Sequence, residues 1–68
     1  MRSLKIVELA LDEVEALRLK NLEALNQAEC AKQMNVSQST FQRILYSAQK
    51  KMTRALIEGM AIQINKSE

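Results

Sequence analysis

The chain has 68 residues, 47% of them hydrophobic and 26% charged, with a formal net charge of +2. That length leaves room for one domain with a thin core, because so short a chain buries only about 60% of the surface it exposes when unfolded. The apolar content excludes a disordered tail, no apolar run approaches the roughly 18 residues that cross a bilayer, and one cysteine without histidine excludes an internal disulfide and the common zinc-ligand sets.

The N-terminus lacks a charged-then-apolar stretch ending in a small-residue cleavage site, so a cytoplasmic location is expected. There is no proline and a single glycine, and nothing marks a linker or a repeat. One unit over residues 1–68 is expected.

Residues 4–9, LKIVEL, carry β-branched Ile6 and Val7 with apolar Leu4, Ile6 and Leu9 set among charges, which predicts a short strand. Helix one is predicted over about 12–21, where Leu11, Val14, Leu17 and Leu22 recur at three- to five-residue spacing. Its early acids Asp12, Glu13 and Glu15 complement the positive helix N-terminus. Arg18 is placed to form a surface salt bridge with Glu15.

Asn26 followed three residues later by Glu29 reads as a capping box and starts helix two, about 27–34. Asn35 tolerates the positive φ that a sharp turn needs, and Ser37 is placed to cap a third helix. From Gln38 to about residue 58 the apolar residues Phe41, Ile44, Leu45, Ala48, Met52, Ala55 and Leu56 recur three and four apart. Gly59 supplies a left-handed stop, and the following MAIQI predicts a second strand over about 60–64. Two lone strands would leave amides unsatisfied, so the terminal strands are expected to pair, within one chain or between two.

The expected fold is therefore mostly α: a three-helix helix-turn-helix domain with a long third helix and short paired strands at its ends. Such a motif needs a small residue where its two helices touch, apolar plugs on either side and a turn between them. Ala31 is the small residue, Met34, Val36, Phe41 and Ile44 are the plugs, and Asn35 is the turn. The buried position expected for Cys30 beside Ala31 makes it a core residue rather than a redox switch.

Charge is distributed unevenly. All eight acids lie outside residues 30–57, which hold Lys32, Arg43, Lys50, Lys51 and Arg54. A basic segment between net-acidic flanks is the kind of footprint that phosphate binding leaves, although by itself it reads more readily as a solvated helix face. On the exposed face of helix three, Ser37, Gln38, Ser39, Gln42, Arg43 and Tyr46 are the candidate DNA contacts. Gln pairs with adenine, Arg with guanine, and hydroxyls serve bases or phosphates. Lys32 and Thr40 are candidate phosphate contacts, Thr40 having the alternative role of helping to cap the helix. Lys50, Lys51 and Arg54 read as a solubilising face opposite the apolar stripe.

The segment from DEVEALRLKNLEAL through NVSQSTFQRIL to ALIEGMAIQI, about residues 12–64, resembles a family of small, uncharacterised prokaryotic candidate DNA-binding proteins. Its central part is similar to the last DNA-binding region, region 4, of bacterial sigma factors and to response-regulator output domains. That resemblance implies a helical unit in which the helix beginning at Gln38 reads DNA. Family members usually have a proline- and basic-rich arm before the first strand, whereas this sequence starts almost at the strand, and many have Gly where this chain has Asn35.

The leading expectation is a transcriptional regulator that binds specific duplex DNA as a homodimer, since one small helix-turn-helix has limited contact area. The alternative is a protein-interaction adaptor, for example one associated with RNA polymerase, that keeps the motif as a scaffold. No cofactor, metal or membrane partner is expected. No enzymatic activity is expected either, because no nucleophile-base pair suggests itself and the carboxylates fall on exposed helical faces.

Overall fold

In the computed structural model, which describes residues 5–65, a strand at each end brackets a helical body. The order is β1 (Ile6–Ala10), α1 (Leu11–Leu17) continued by a π-helical turn (Arg18–Leu22), α2 (Gln27–Met34), α3 (Gln38–Glu58) and β2 (Ala61–Asn65). The fold is mostly helical, with a long third helix and two short terminal strands, as expected. The two strands pair within the chain, in parallel, with Ile6 opposite Ala61 and Leu9 opposite Ile64. Leu4, at the start of the predicted first strand, lies outside the described residues.

Local signals explain the two helices of the motif. Asn26 Oδ1 accepts the Glu29 amide at 2.8 Å, satisfying one of the free amides at the start of α2. The return bond of a full capping box is not made: Glu29 does not reach back to the Asn26 amide. At the other end Asn35 adopts φ 60°. Its amide bonds Lys32 O at 3.1 Å and the Val36 amide bonds Ala31 O at 3.0 Å, the paired closure of a Schellman turn. Ser37 then caps α3 by accepting the Thr40 amide at 3.1 Å. Gly59, at φ 66°, ends that helix with the Met60 amide on Ala55 O. Met60 is thereby drawn into the helix cap, and β2 begins one residue later than its sequence pattern implied.

The core gathers Ala16, Leu19, Cys30, Ala31 and Phe41, with Leu25, Met34, Val36, Ile44 and Leu45 packed against it. Half of the eight buried apolar residues among those described are alanines: Ala16, Ala31, Ala48 and Ala55. Small residues let helix backbones approach closely, and Phe41 fills the remaining volume.

Three expectations about the helices require correction. The first helix is not regular to its end: the Glu23 amide bonds Arg18 O at 2.9 Å, which widens the last turn. That widening changes the phase of the stripe, so Leu19 is buried whereas Leu22 stands 78% exposed. On α3 the apolar stripe is likewise shorter than its pattern, because Leu56 is also 78% exposed.

The third correction concerns charge. Glu13 is only 6% exposed; it is not the solvent-facing acid expected of the first turn. Its carboxylate accepts the Ala10 amide at 2.9 Å, the Ser47 hydroxyl at 2.6 Å and Lys51 Nζ at 2.9 Å. Lys51 also donates to Glu8 O at 3.0 Å, so it ties α3 to the β1–α1 junction and does not belong to a free solubilising face. Burial pushes the Glu13 carboxyl up, but the bonds from Ser47, the Ala10 amide and Lys51 outweigh it and hold the carboxyl below its ordinary range.

Candidate nucleic-acid interface

The contact between α2 and α3 fixes how the start of α3 is presented. Ala31 and Phe41 are buried where the two helices meet, and Met34, Val36 and Ile44 are half-buried around them. The Schellman turn directs the chain from one helix to the next within Asn35, Val36 and Ser37. Asn35 itself is exposed in the turn.

Ser37, Gln38, Ser39, Thr40, Gln42, Arg43 and Tyr46 are all exposed, as is Lys32 near the end of α2. They divide into three groups. Ser37, Ser39 and Thr40 form a hydroxyl cluster at the α3 N-terminus, with Ser37 Oγ 2.9 Å from Thr40 Oγ1 and 3.3 Å from Ser39 Oγ. This places donors beside the positive end of a 21-residue helix, a setting that favours an anionic oxygen. Thr40 takes part in the cap through its amide while keeping an exposed hydroxyl.

Gln42 and Tyr46 lie in a second group. They line an open groove of about 360 Å³ with Lys20, Gln27, Leu45 and Gln49. Gln42 Nε2 donates to Gln27 Oε1 at 3.1 Å, so the first residue of α2 restrains the amide of Gln42. Neither Gln27 nor Lys20 is marked by sequence spacing. They stand on other elements, and only the packing of α1 and α2 on α3 brings them to this groove.

Arg43 lies on the opposite flank of α3, in a cleft shared with Asp12, Glu13 and Lys51. The surface around the candidate contacts is therefore not free of acids on that side, in contrast to the sequence expectation. The cause is the docking of α1 alongside α3, which brings the acidic α1 N-terminus against the part of α3 that carries no acid of its own.

The ion pairs also sort the basic segment. Lys51 is bound to Glu13 at 2.9 Å and Arg54 to Glu58 at 3.5 Å. Among the described residues, Lys32, Arg43 and Lys50 of that segment carry charge with no acidic partner. At the start of the π-helical turn, Arg18 meets Glu15 at 2.6 Å, as its spacing predicted, and Glu23 at 3.3 Å. The hydrogen bond from Arg18 holds the Glu15 carboxyl below its usual range.

Among the described residues no helix is long and apolar enough to cross a membrane. No solved structure matches the chain. It is 56% identical over 62 residues to a UPF0251 protein of Halothermothrix orenii, covering 91% of this chain and 46% of the relative. It is 53% identical over 62 residues to a UPF0251 protein of Desulforudis audaxviator, covering 91% and 40%. A UPF0251 protein of Clostridium novyi is 54% identical over 59 residues, covering 87% and 40%. The chain thus spans less than half the length of these curated relatives. A family model described as "Protein of unknown function DUF134" matches residues 2–68, and the chain belongs to that family.

Proposed function

We propose that this chain binds duplex DNA sequence-specifically through the N-terminal half of α3, as a homodimeric transcriptional regulator that works by binding rather than catalysis. The observation that carries the reading is the joint geometry of α2, the Asn35 turn and α3. The buried Ala31–Phe41 contact braces α3 while its first turns project polar side chains into solvent. In helix-turn-helix recognition the second helix enters the major groove and its N-terminal residues meet base edges. Here those residues are Gln38, Ser39 and Gln42, with Tyr46 one turn further on.

Each group has a role in this reading. Gln42, restrained by Gln27, is the candidate for bidentate pairing with adenine. The Ser37, Ser39 and Thr40 hydroxyls, with Lys32, are phosphate contacts that set register. Arg43 contacts the backbone or a guanine from the opposite flank, where Asp12 and Glu13 reduce the local positive potential. Similarity to region 4 of sigma factors supports the same assignment of the helix beginning at Gln38 and leaves RNA polymerase as a further candidate contact.

Fluorescence anisotropy with pooled random duplexes at two ionic strengths tests the proposal. Binding that weakens steeply with salt is expected, with a slope of about −0.9 per phosphate neutralised. Replacing Gln42 and Arg43 together with Ala is expected to abolish it. Absence of binding to every pool at low salt overturns the reading and favours the protein-interaction adaptor, whose partner capture would survive the same double substitution.

A further inference from the structure

Alongside its buried stripe, α3 carries a second stripe that faces solvent. Tyr46, Gln49, Thr53, Leu56 and Ile57 recur three and four residues apart, and none is charged. Leu56 and Ile57 are 78% and 79% exposed. Beside this ridge an open cleft of about 860 Å³ runs between α1 and the distal half of α3, lined by Val14, Leu17, Leu22, Met52 and Leu56. The one charged residue lining it, Arg18, is held by Glu15 and Glu23.

We infer that a second copy of this chain docks across this α1–α3 cleft, setting its own Leu56–Ile57 ridge against Val14, Leu17 and Leu22 about a two-fold axis near the distal half of α3. Three observations select this occupant. First, the cleft offers no unpaired charge, so it suits neither a phosphate backbone nor an acidic or basic segment, and covering it strands no ion. Second, ridge and cleft lie side by side on one face, the arrangement that an isologous interface requires, since each copy then supplies both halves of the contact. Third, the most exposed large apolar side chains among the described residues, Leu22, Leu56 and Ile57, gather on this face.

The terminal strands are the competing interface, since Ile62 and Ile64 are partly exposed on β2. They do not carry the dimer. β1 and β2 already pair with each other, whereas Leu22 and Leu56 at the α1–α3 cleft remain 78% exposed among the described residues. The stripe also runs from Tyr46, in the candidate DNA groove, to Ile57, so the same helix would read DNA at one end and fix the partner at the other.

This inference rests on the dimer half of the proposed function and is tested without DNA, so its failure leaves the DNA-binding reading untouched. Sedimentation equilibrium of the full chain from micromolar to millimolar concentration is expected to give twice the 7.7 kDa chain mass. Leu22→Glu and Leu56→Glu, at exposed positions where the fold loses no core contact, are expected to weaken association at least tenfold with an unchanged helical circular dichroism spectrum. Leu56→Met and Ile62→Glu are expected to leave it intact. A monomer at every concentration, a dimer indifferent to both cleft substitutions, or a dimer lost in Ile62→Glu alone would overturn the inference.

Discussion

Lys51 donates to the buried carboxylate of Glu13 at 2.9 Å, joining residues 38 positions apart in the chain. With Ser47 and the Ala10 amide on the same carboxylate, this bond locks the first turn of α1 onto the middle of α3. Hydrogen bonds to charged groups contribute about 1.5–3 kcal/mol each when partly buried, and the network shares its donors. Glu13→Gln is therefore expected to cost about 2 kcal/mol by urea unfolding.

The same carboxyl sets a pH dependence. Its folded pKa lies below the unfolded value near 4.5, so its contribution is complete above that value and is lost as pH falls through the folded pKa. Thermal melts from neutral pH down to pH 3 should show stability falling below about pH 4.5. Glu13→Gln should flatten that decline, and an equal decline in both proteins would refute the assignment.

Ala24 follows the π-helical turn at φ 58°, in the left-handed region that favours glycine. The residue is exposed, so a substitution there removes no packing. Ala24→Gly is expected to raise stability by about 0.5–1 kcal/mol, the left-handed strain of alanine exceeding the entropy lost by glycine. Asn35→Gly should be close to neutral, whereas Asn35→Val, β-branched at positive φ, should cost about 1–2 kcal/mol. Chemical denaturation of the three variants orders them.

Ala31 touches α3 with almost no exposed surface. Ala31→Leu would force α2 and α3 apart and is expected to cost about 1–3 kcal/mol. Ser37→Ala removes the side-chain acceptor for the Thr40 amide and should cost about 1 kcal/mol. A combined loss far below these values would mean that the two helices are not braced as described.

Under the proposed function, Lys32→Ala should weaken DNA binding evenly across sequences and reduce the salt slope by about one unit. Gln27→Ala should leave the melting temperature nearly unchanged while relaxing sequence preference, because it frees the Gln42 amide without removing it. Selection of bound duplexes from a random pool, run with both variants, separates the two effects.

The parts of this fold that were legible in sequence are those specified by neighbours along the chain. Asn26, Asn35, Ser37 and Gly59 cap or end helices through bonds spanning a few residues, and α2 and α3 run over their expected ranges. The end of α1 was not legible, because its π turn depends on burying Leu19 against α2 and α3 and on the Arg18–Glu23 contact. Glu13 was misread for a related reason: its partners Ser47 and Lys51 come from 34 and 38 residues away. In the candidate site the bracing residues follow helical periodicity and could be named in advance. The Gln27–Gln42 pair, the approach of Lys20, and the placement of Arg43 beside Asp12 follow from how α1 and α2 dock, which no local pattern records.

The parallel β1–β2 ladder has a kinetic consequence. The helices of the α2–α3 motif meet across a three-residue turn, so their contacts form with little loop-closure entropy. The ladder, by contrast, joins the two ends of the chain and can close only after the helical body has brought them together. The strands should therefore assemble after the folding barrier, with φ-values near zero for Val7 and Ile62 and larger ones for Ala31 and Phe41. Weakening the ladder would then leave the folding rate almost unchanged and speed unfolding, so the terminal strands would set how long the folded helical body persists rather than how fast it forms.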